Sequence, residues 1–215
     1  MYAQKTIDLT PTLEALGIYT IVPKDTFSHR DKVAKLVKLG YSLFPKRHTP
    51  FIGGLLGTRF SFQRRLQAYY RIKHRVRLVN LYYYGEQFNY LVVGTANRTE
   101  LLTGFFVKYG DSVADIMPII HLYKTQVRKV SKFLCVPQQV IDKPPIPDLI
   151  PGIEDERAMG ISYEKLDIIL FGLTNGKSEQ EIADELEIST KTVNYIKNIM
   201  SLSEGLRSPP ITLNA

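Results

Sequence analysis

Residues 90 to 111 read YLVVGTANRTELLTGFFVKYGD, an apolar run followed at once by Gly94, Thr95, Asn97, Arg98, Glu100, Lys108 and Asp111. A glycine directly after an apolar strand lets the backbone turn tightly and approach a ligand closely. Thr95 offers a hydroxyl at that turn, and Glu100 a carboxylate of the kind that holds a hard cation such as Mg2+. The same spacing also has a purely structural reading, because Asn97 three residues before Glu100 is a helix-capping pattern. Further on, GFFVKYGDSVADIMP gathers Lys108, Asp111 and Asp115. A lysine beside two aspartates is the composition of a solvated face. Phe105, Phe106 and Tyr109 interleave it, however, and that mixture suits a pocket where aromatic faces meet a polar ligand.

Two other groupings carry charge. Arg59, Arg64, Arg65, Arg71, Lys73, Arg75 and Arg77 follow one another with no intervening acid, and tyrosines lie among and beyond them. Such a helix holds phosphates through charge-assisted, sometimes bidentate contacts. RNA binding and a solvated basic face are the competing readings. Near the C-terminus, GKSEQEIADELEISTKTVNYIKNIM has the pattern of a helix-turn-helix, with Ser178 and Glu181 as a capping box and Ser189 capping the second helix. A DNA reader would use Thr190, Lys191, Asn194 and Lys197. The first helix carries Glu179, Glu181, Asp184, Glu185 and Glu187, which phosphates repel. The pattern therefore favours a helical hairpin packed on the main body through Ile182, Leu186, Ile188, Val193 and Ile196.

The elements that must position these groups follow from periodicity. Ile7 and Leu9 read as a short strand, and Thr10 as the cap of a helix ended by Gly17. Residues 18 to 60 show no regular pattern, and FPKRHTPFIGGLLGTRF reads as a loop. A helix is expected from Phe62 to about Tyr84, and FNYLVV as a strand covered on both faces. Helices follow from Arg98 and over 121 to 136. DKPPIPDLIPGIED is a proline-rich loop, and the tail from 161 to about 203 reads as three helices. Strands alternating with helices predict an α/β fold with ligands beyond the carboxyl ends of the strands, where Gly94-Thr95 falls.

Composition narrows the classes. The 215 residues allow one domain with a sizeable core and a small appendage, and a net charge of +7 with a pI near 9.3 favours anionic partners. Cys135 is the single cysteine, which excludes an intramolecular disulfide, and its apolar setting predicts an inert core thiol. Neither a signal peptide nor a membrane span is legible, so a soluble, cytoplasmic protein without membrane contact is expected.

Taken together, NYLVVGTANRTELLTGFFVKYGDSVADIMPI, LYKTQV, KPPIPDLIPG and GISYEKLD closely resemble ammonia-dependent NAD synthetases over about residues 75 to 205. The resemblance implies a parallel-sheet, three-layer fold of the adenine nucleotide alpha-hydrolase-like (PP-loop ATPase) type. Residues 1–158 would form the nucleotide-binding α/β domain, N-terminally incomplete, and 159–215 a C-terminal helical hairpin and tail. It implies ATP-dependent amidation of deamido-NAD through an adenylated intermediate, with ammonia as nitrogen donor. Carried over by position, Thr95 and Lys124 would contact ATP and Glu100 would bind Mg2+. Arg75, Lys108 and Asp115 would line a deamido-NAD pocket at a homodimer interface.

The chain departs from that pattern at three places. The Ser-Gly-Gly-x-Asp-Ser run whose backbone amides cradle pyrophosphate occurs nowhere in it. Ile146 stands where Ser or Thr is usual, and Gly205-Leu206 where the family has His-Lys, while Arg207 is kept. The reading is accordingly a synthetase represented by a partial chain. A catalytically inactive nucleotide-binding paralogue and a helix-turn-helix regulator are the alternatives.

Overall fold

Tyr163, Leu166, Ile169 and Leu170 recur at helical spacing, and in the computed structural model all four are completely buried. The structure describes residues 5–21, 50–57, 61–144 and 154–209. In chain order the helices are α1 (Thr10–Ala15), α2 (Pro50–Leu56), α3 (Ser61–Phe88), α4 (Arg98–Thr103), α5 (Lys124–Phe133) and α6 (Gln138–Ile141). They continue with α7 (Asp155–Met159), α8 (Tyr163–Thr174), α9 (Glu179–Glu185) and α10 (Thr190–Arg207).

The buried stripe of α8 is the centre of the main core. Ile182 of α9 and Val193, Ile196 and Ile199 of α10 pack with it, and Ile52 of α2, Leu102 of α4 and Tyr123 belong to the same cluster. Each fully buried aliphatic side chain contributes roughly 1.5–3 kcal/mol relative to exposure. Two glycines permit the contacts. A Cβ at Gly172 would lie 2.8 Å from Ile182, and one at Gly104 2.6 Å from the Cβ of Ser203, so α8 meets α9 and the end of α4 meets α10 only because both positions lack a side chain. Ser203 secures the second crossing by donating to the Leu102 carbonyl at 2.8 Å. The expected hairpin is thus packed into the body, and the Ser178–Glu181 capping box starts α9 as its sequence indicates. A second, smaller cluster joins Leu13 and Ile18 to Tyr69 and Val76 of α3.

The N-terminal expectations need correction. Residues 5–9 form no strand, Leu9 occupies the cap position, and Thr10 donates its backbone N–H to Asp8 Oδ1 at 2.9 Å. Gly17 does end the segment, with φ +68. A 3-10 turn (Ile18–Thr20) and helix α2 then form within the stretch read as irregular. Pro50 begins α2 with a pre-set φ, and the paired glycines in FIGGLL hide its periodicity while letting it pack closely on α3. Arg59, Ile146 and residues 145–153 of the proline-rich loop lie outside the described residues.

The segment expected as a fully covered strand is covered on one side only. Val93 and Ile116 form an isolated parallel bridge, with Gly94 N–H donating to the Ile116 carbonyl at 2.8 Å and Asp115 N–H to the Val92 carbonyl at 3.0 Å. Val92 is buried, whereas Tyr90, Leu91 and Val93 are 71%, 67% and 52% exposed. The neighbouring strand that an α/β sheet would lay along the other edge is not among the described residues. Cys135 likewise is exposed instead of buried: α5 ends at Phe133, and Cys135 takes a left-handed conformation (φ +55) just past it. No helix among the described residues is long and apolar enough to cross a membrane.

Candidate active site

Thr95, just past the bridged segment, lines a cavity of about 1020 Å3, whereas Gly94 is outside that lining and packs against Ala114 and Met117. The cavity walls come from α2 (Phe51, Gly54, Leu55), α3 (Arg71, His74, Arg75) and the loop after α4 (Phe105 to Tyr109). Glu100, Lys124 and Asp155 complete the polar end. Five permanent cations (Arg71, Arg75, Lys108, Lys124, Lys143) face three carboxylates (Glu100, Asp111, Asp155), so the cavity favours an anion.

Glu100 serves two purposes at once. Its backbone N–H donates to Asn97 Oδ1 at 3.0 Å, and its Oε2 accepts from Asn97 N–H at 3.1 Å, a complete capping box for α4. The remaining oxygen, Oε1, accepts from Lys124 Nζ at 3.2 Å and lies at the cavity wall. The capping reading of this motif is therefore met, and it leaves one carboxylate oxygen at the cavity wall.

A buried carboxylate sets that pair in place. Asp167 of α8 accepts from Thr99 Oγ1 at 2.6 Å through one oxygen and from the Thr125 backbone N–H at 2.8 Å through the other. Thr99 Oγ1 accepts in turn from the Lys124 N–H at 2.9 Å. Three elements, α4, α5 and α8, are thus tied at one point, and Glu100 and Lys124 flank the tie.

Asp155, 5% exposed, stands at the start of α7. Tyr163 donates to its Oδ2 at 2.9 Å, while its Oδ1 is buried with no partner. Burial pushes this carboxyl above the usual carboxylate range; the Tyr163 hydrogen bond and the Lys124 charge pull the other way, and the Glu100 charge adds to the rise. Burial, followed by the Asp155 charge, also pushes the Tyr163 hydroxyl up, so it stays a donor.

The remaining sequence candidates are placed as follows. Arg75 lines the cavity and donates to the Lys108 carbonyl at 3.2–3.3 Å, fixing the loop after α4. Lys108 Nζ, also at the wall, donates to the carbonyls of Gly205 and Ser208 at 3.0 and 3.2 Å, tying the end of α10 to the site. Asp115 is not in the lining. Its Oδ2 accepts from Val92 N–H at 2.7 Å and its Oδ1 from the Tyr82 hydroxyl at 3.3 Å, so it holds the segment that delivers Thr95. Asp111 stands 3.9 Å from His74, whose imidazole burial pushes below its ordinary pKa. Among the hairpin cations, Lys197 pairs with Glu179, and Lys177 with Glu185 at 2.6 Å.

Sequence reasoning missed Asp155, Asp167 and the Phe51–Gly54 wall. Among the described residues no three His, Cys, Asp or Glu side chains cluster as a metal cage. Two carboxylate groups, Glu100 and Asp155 with its orphaned oxygen, share this end of the cavity and are the oxygen donors of the kind that would hold a hard cation there.

Known proteins resemble this chain over most of its length. The NAD synthase family model matches residues 55–210. The NH3-dependent NAD+ synthetase of Coprothermobacter proteolyticus is 42% identical over 204 residues, covering 91% of this chain and 69% of its own. The corresponding Thermotoga maritima protein is 43% identical over 207 residues, covering 96% and 71%. Among solved structures, the NMN synthetase from Francisella tularensis superposes with a TM-score of 0.65 at 27% identity, over 98% of this chain and 66% of that one. An NH3-dependent NAD synthetase from Campylobacter jejuni gives a TM-score of 0.55 at 28% identity, over 69% and 56%. A family match over most of the chain, together with relatives above 40% identity, has one meaning: this chain belongs to the NAD synthase family.

Proposed function

We propose that the cavity binds ATP and deamido-NAD and that the chain is an ammonia-dependent ligase forming the amide of NAD. A nicotinate carboxylate is a poor electrophile, because its negative charge repels nucleophiles. Its oxygen attacks the α-phosphorus of ATP, pyrophosphate leaves, and the carboxylate becomes an acyl adenylate. Ammonia then attacks the carbonyl carbon, AMP leaves with the bonding pair, and a proton is lost from nitrogen to give the amide.

Thr95 and Lys124 contact ATP, with Lys124 set by the Asp167 tie. Glu100 and Asp155 hold Mg2+, which when bound offsets the charge of the phosphates. Arg75 and Lys108 face deamido-NAD, and Asp115 acts on that pocket through the segment it anchors. A homodimer completes the pocket, as the resemblance implies.

The observation that carries this reading is the Lys124–Glu100 pair at 3.2 Å, beside an unpartnered buried Asp155 oxygen, in a cavity shared with Thr95, Arg75 and Lys108. The test is incubation of the full chain with MgATP, ammonium and either deamido-NAD or nicotinate mononucleotide, following NAD, NMN, AMP and pyrophosphate. Equal amounts of NAD and AMP are expected with deamido-NAD, and Glu100→Gln should lower the rate roughly 100-fold with little change in melting temperature. Production of neither AMP nor amide, or a Glu100→Gln chain as active as the parent, would sink the proposal.

A further inference from the structure

Arg71 belongs to the cavity wall, yet neither the resemblance nor the chemistry above uses it. It lies on the same face of α3 as Arg75, one helical turn or about 6 Å toward the N-terminus. Arg75 is engaged with the Lys108 carbonyl, but Arg71 has neither a hydrogen bond nor a carboxylate partner among the described residues. It is nevertheless half-buried. The nearest element is α2, where a Cβ at Gly54 would lie 3.8 Å from an Arg71 terminal nitrogen and 3.1 Å from Gln67 Nε2. Phe51 and Phe105, in edge contact at 5.0 Å between ring centroids, give the same cavity an apolar wall.

A guanidinium in that position is under electrostatic load from two directions. Burial disfavours its charge, and the neighbouring Arg75 charge does so again. Two adjacent guanidinium groups facing one cavity, the first without a counter-charge, are stabilised when an anion enters between them. The cavity's carboxylates do not supply it: Glu100 is held by Lys124 and the α4 cap, and Asp155 accepts from Tyr163 and feels the Lys124 charge at the other end. Asp111 accepts from the Val107 N–H at 2.7 Å and faces His74.

We infer that Arg71 and Arg75 together form the seat of a phosphate of the dinucleotide substrate, with Arg71 providing a forked contact that a point charge cannot replace. This rests on the function proposed above. It places the dinucleotide along α3, away from the Thr95, Glu100 and Lys124 end where ATP is held. Arg71 thereby becomes a determinant of affinity for deamido-NAD and not for ATP.

Calorimetric titration of the full chain and of its Arg71→Gln and Arg71→Lys variants, with deamido-NAD and separately with MgATP, tests this. Arg71→Gln should weaken deamido-NAD binding about tenfold or more, and Arg71→Lys should recover only part of the loss, with MgATP affinity unchanged within about twofold. In turnover, KM for deamido-NAD should rise with kcat held. Should Arg71→Gln melt early, Arg71→Lys decides alone: full affinity in that variant overturns the forked contact. Unchanged deamido-NAD binding in Arg71→Gln, or an equal loss for MgATP, overturns the inference while leaving the proposed function standing. A parent chain that binds ATP but no deamido-NAD removes both.

Discussion

Tyr163 and Tyr90 each begin a stretch that carries apolar residues, and the fold treats them oppositely. Tyr163 is completely buried, with its hydroxyl on Asp155, while Tyr90 is 71% exposed on the bridged segment. The contrast extends to their surroundings. Around Tyr163, α8, α9 and α10 pack apolar stripes face to face, and the polar groups inside, Thr99, Asp167 and Ser203, have partners. Around Tyr90, Leu91 and Val93 face outward, and Val92 alone of that apolar run is buried. One region is stabilised by its own contacts; the other has the outward half of a strand prepared for a neighbour. The site lies on the seam between them, where Thr95 comes from the bridged segment and Glu100, Lys124 and Asp155 from the packed side.

The widest gap between the two regions should appear in side-chain truncation. Leu166→Ala removes a side chain with no exposure and should cost about 2–5 kcal/mol. Leu91→Ala removes one that is mostly in solvent and should stay within about 0.5 kcal/mol. Urea midpoints of the two variants measure this. A comparable loss from both would mean that the segment at 90–93 is already covered in solution.

Next comes the tie at Asp167. Asp167→Ala leaves the Thr125 N–H without its acceptor and frees the Thr99 hydroxyl, at a cost of about 2 kcal/mol. Lys124 should lose its fixed position, so MgATP affinity should fall with stability. Asp167→Asn, which keeps one acceptor, should lose less of both. A variant that loses stability but binds MgATP as the parent does would show that Asp167 serves the core and not the site.

The legibility of these regions follows the range of the interactions that build them. The capping boxes of Asn97 with Glu100 and Ser178 with Glu181 are local, three residues apart, and both form as read. The long helix α3 and the tail helices are legible for the same reason, since periodicity decides them. Asp167 meets Thr99 across 68 residues, and no local pattern marks it. Asp155 lies in IEDERAMG, where flanking acids give it the look of a solvated face. The bridged segment misleads for a third reason: its apolar run fits a strand between two neighbours, and the described residues supply one. Family motifs, and not spacing, brought Thr95 and Lys124 to the same site as Glu100. The cavity holds all three, with Asp115 one step behind them at Val92.

The smallest expected effect is also the one with a sign to check. Asp155 has its folded pKa raised, chiefly by burial, so its contribution to stability is fully present below the ordinary aspartate value near pH 3.9. That contribution is lost as pH rises through the raised value. Asp155→Asn cannot ionise and can still accept from Tyr163, so its stability relative to the parent should increase with pH and then level off. At neutral pH the variant should be the more stable of the two, while amide synthesis falls because a buried carboxylate oxygen has left the cavity. Paired melting curves from pH 3.5 to 8 measure the difference, in which titrations common to both chains cancel. A gap that does not vary with pH, or a variant less stable at neutrality, would show that the charge of Asp155 is compensated within the packed region. A stabilised but slow variant would instead mark Asp155 as a group whose burial weakens the fold because the site needs its charge.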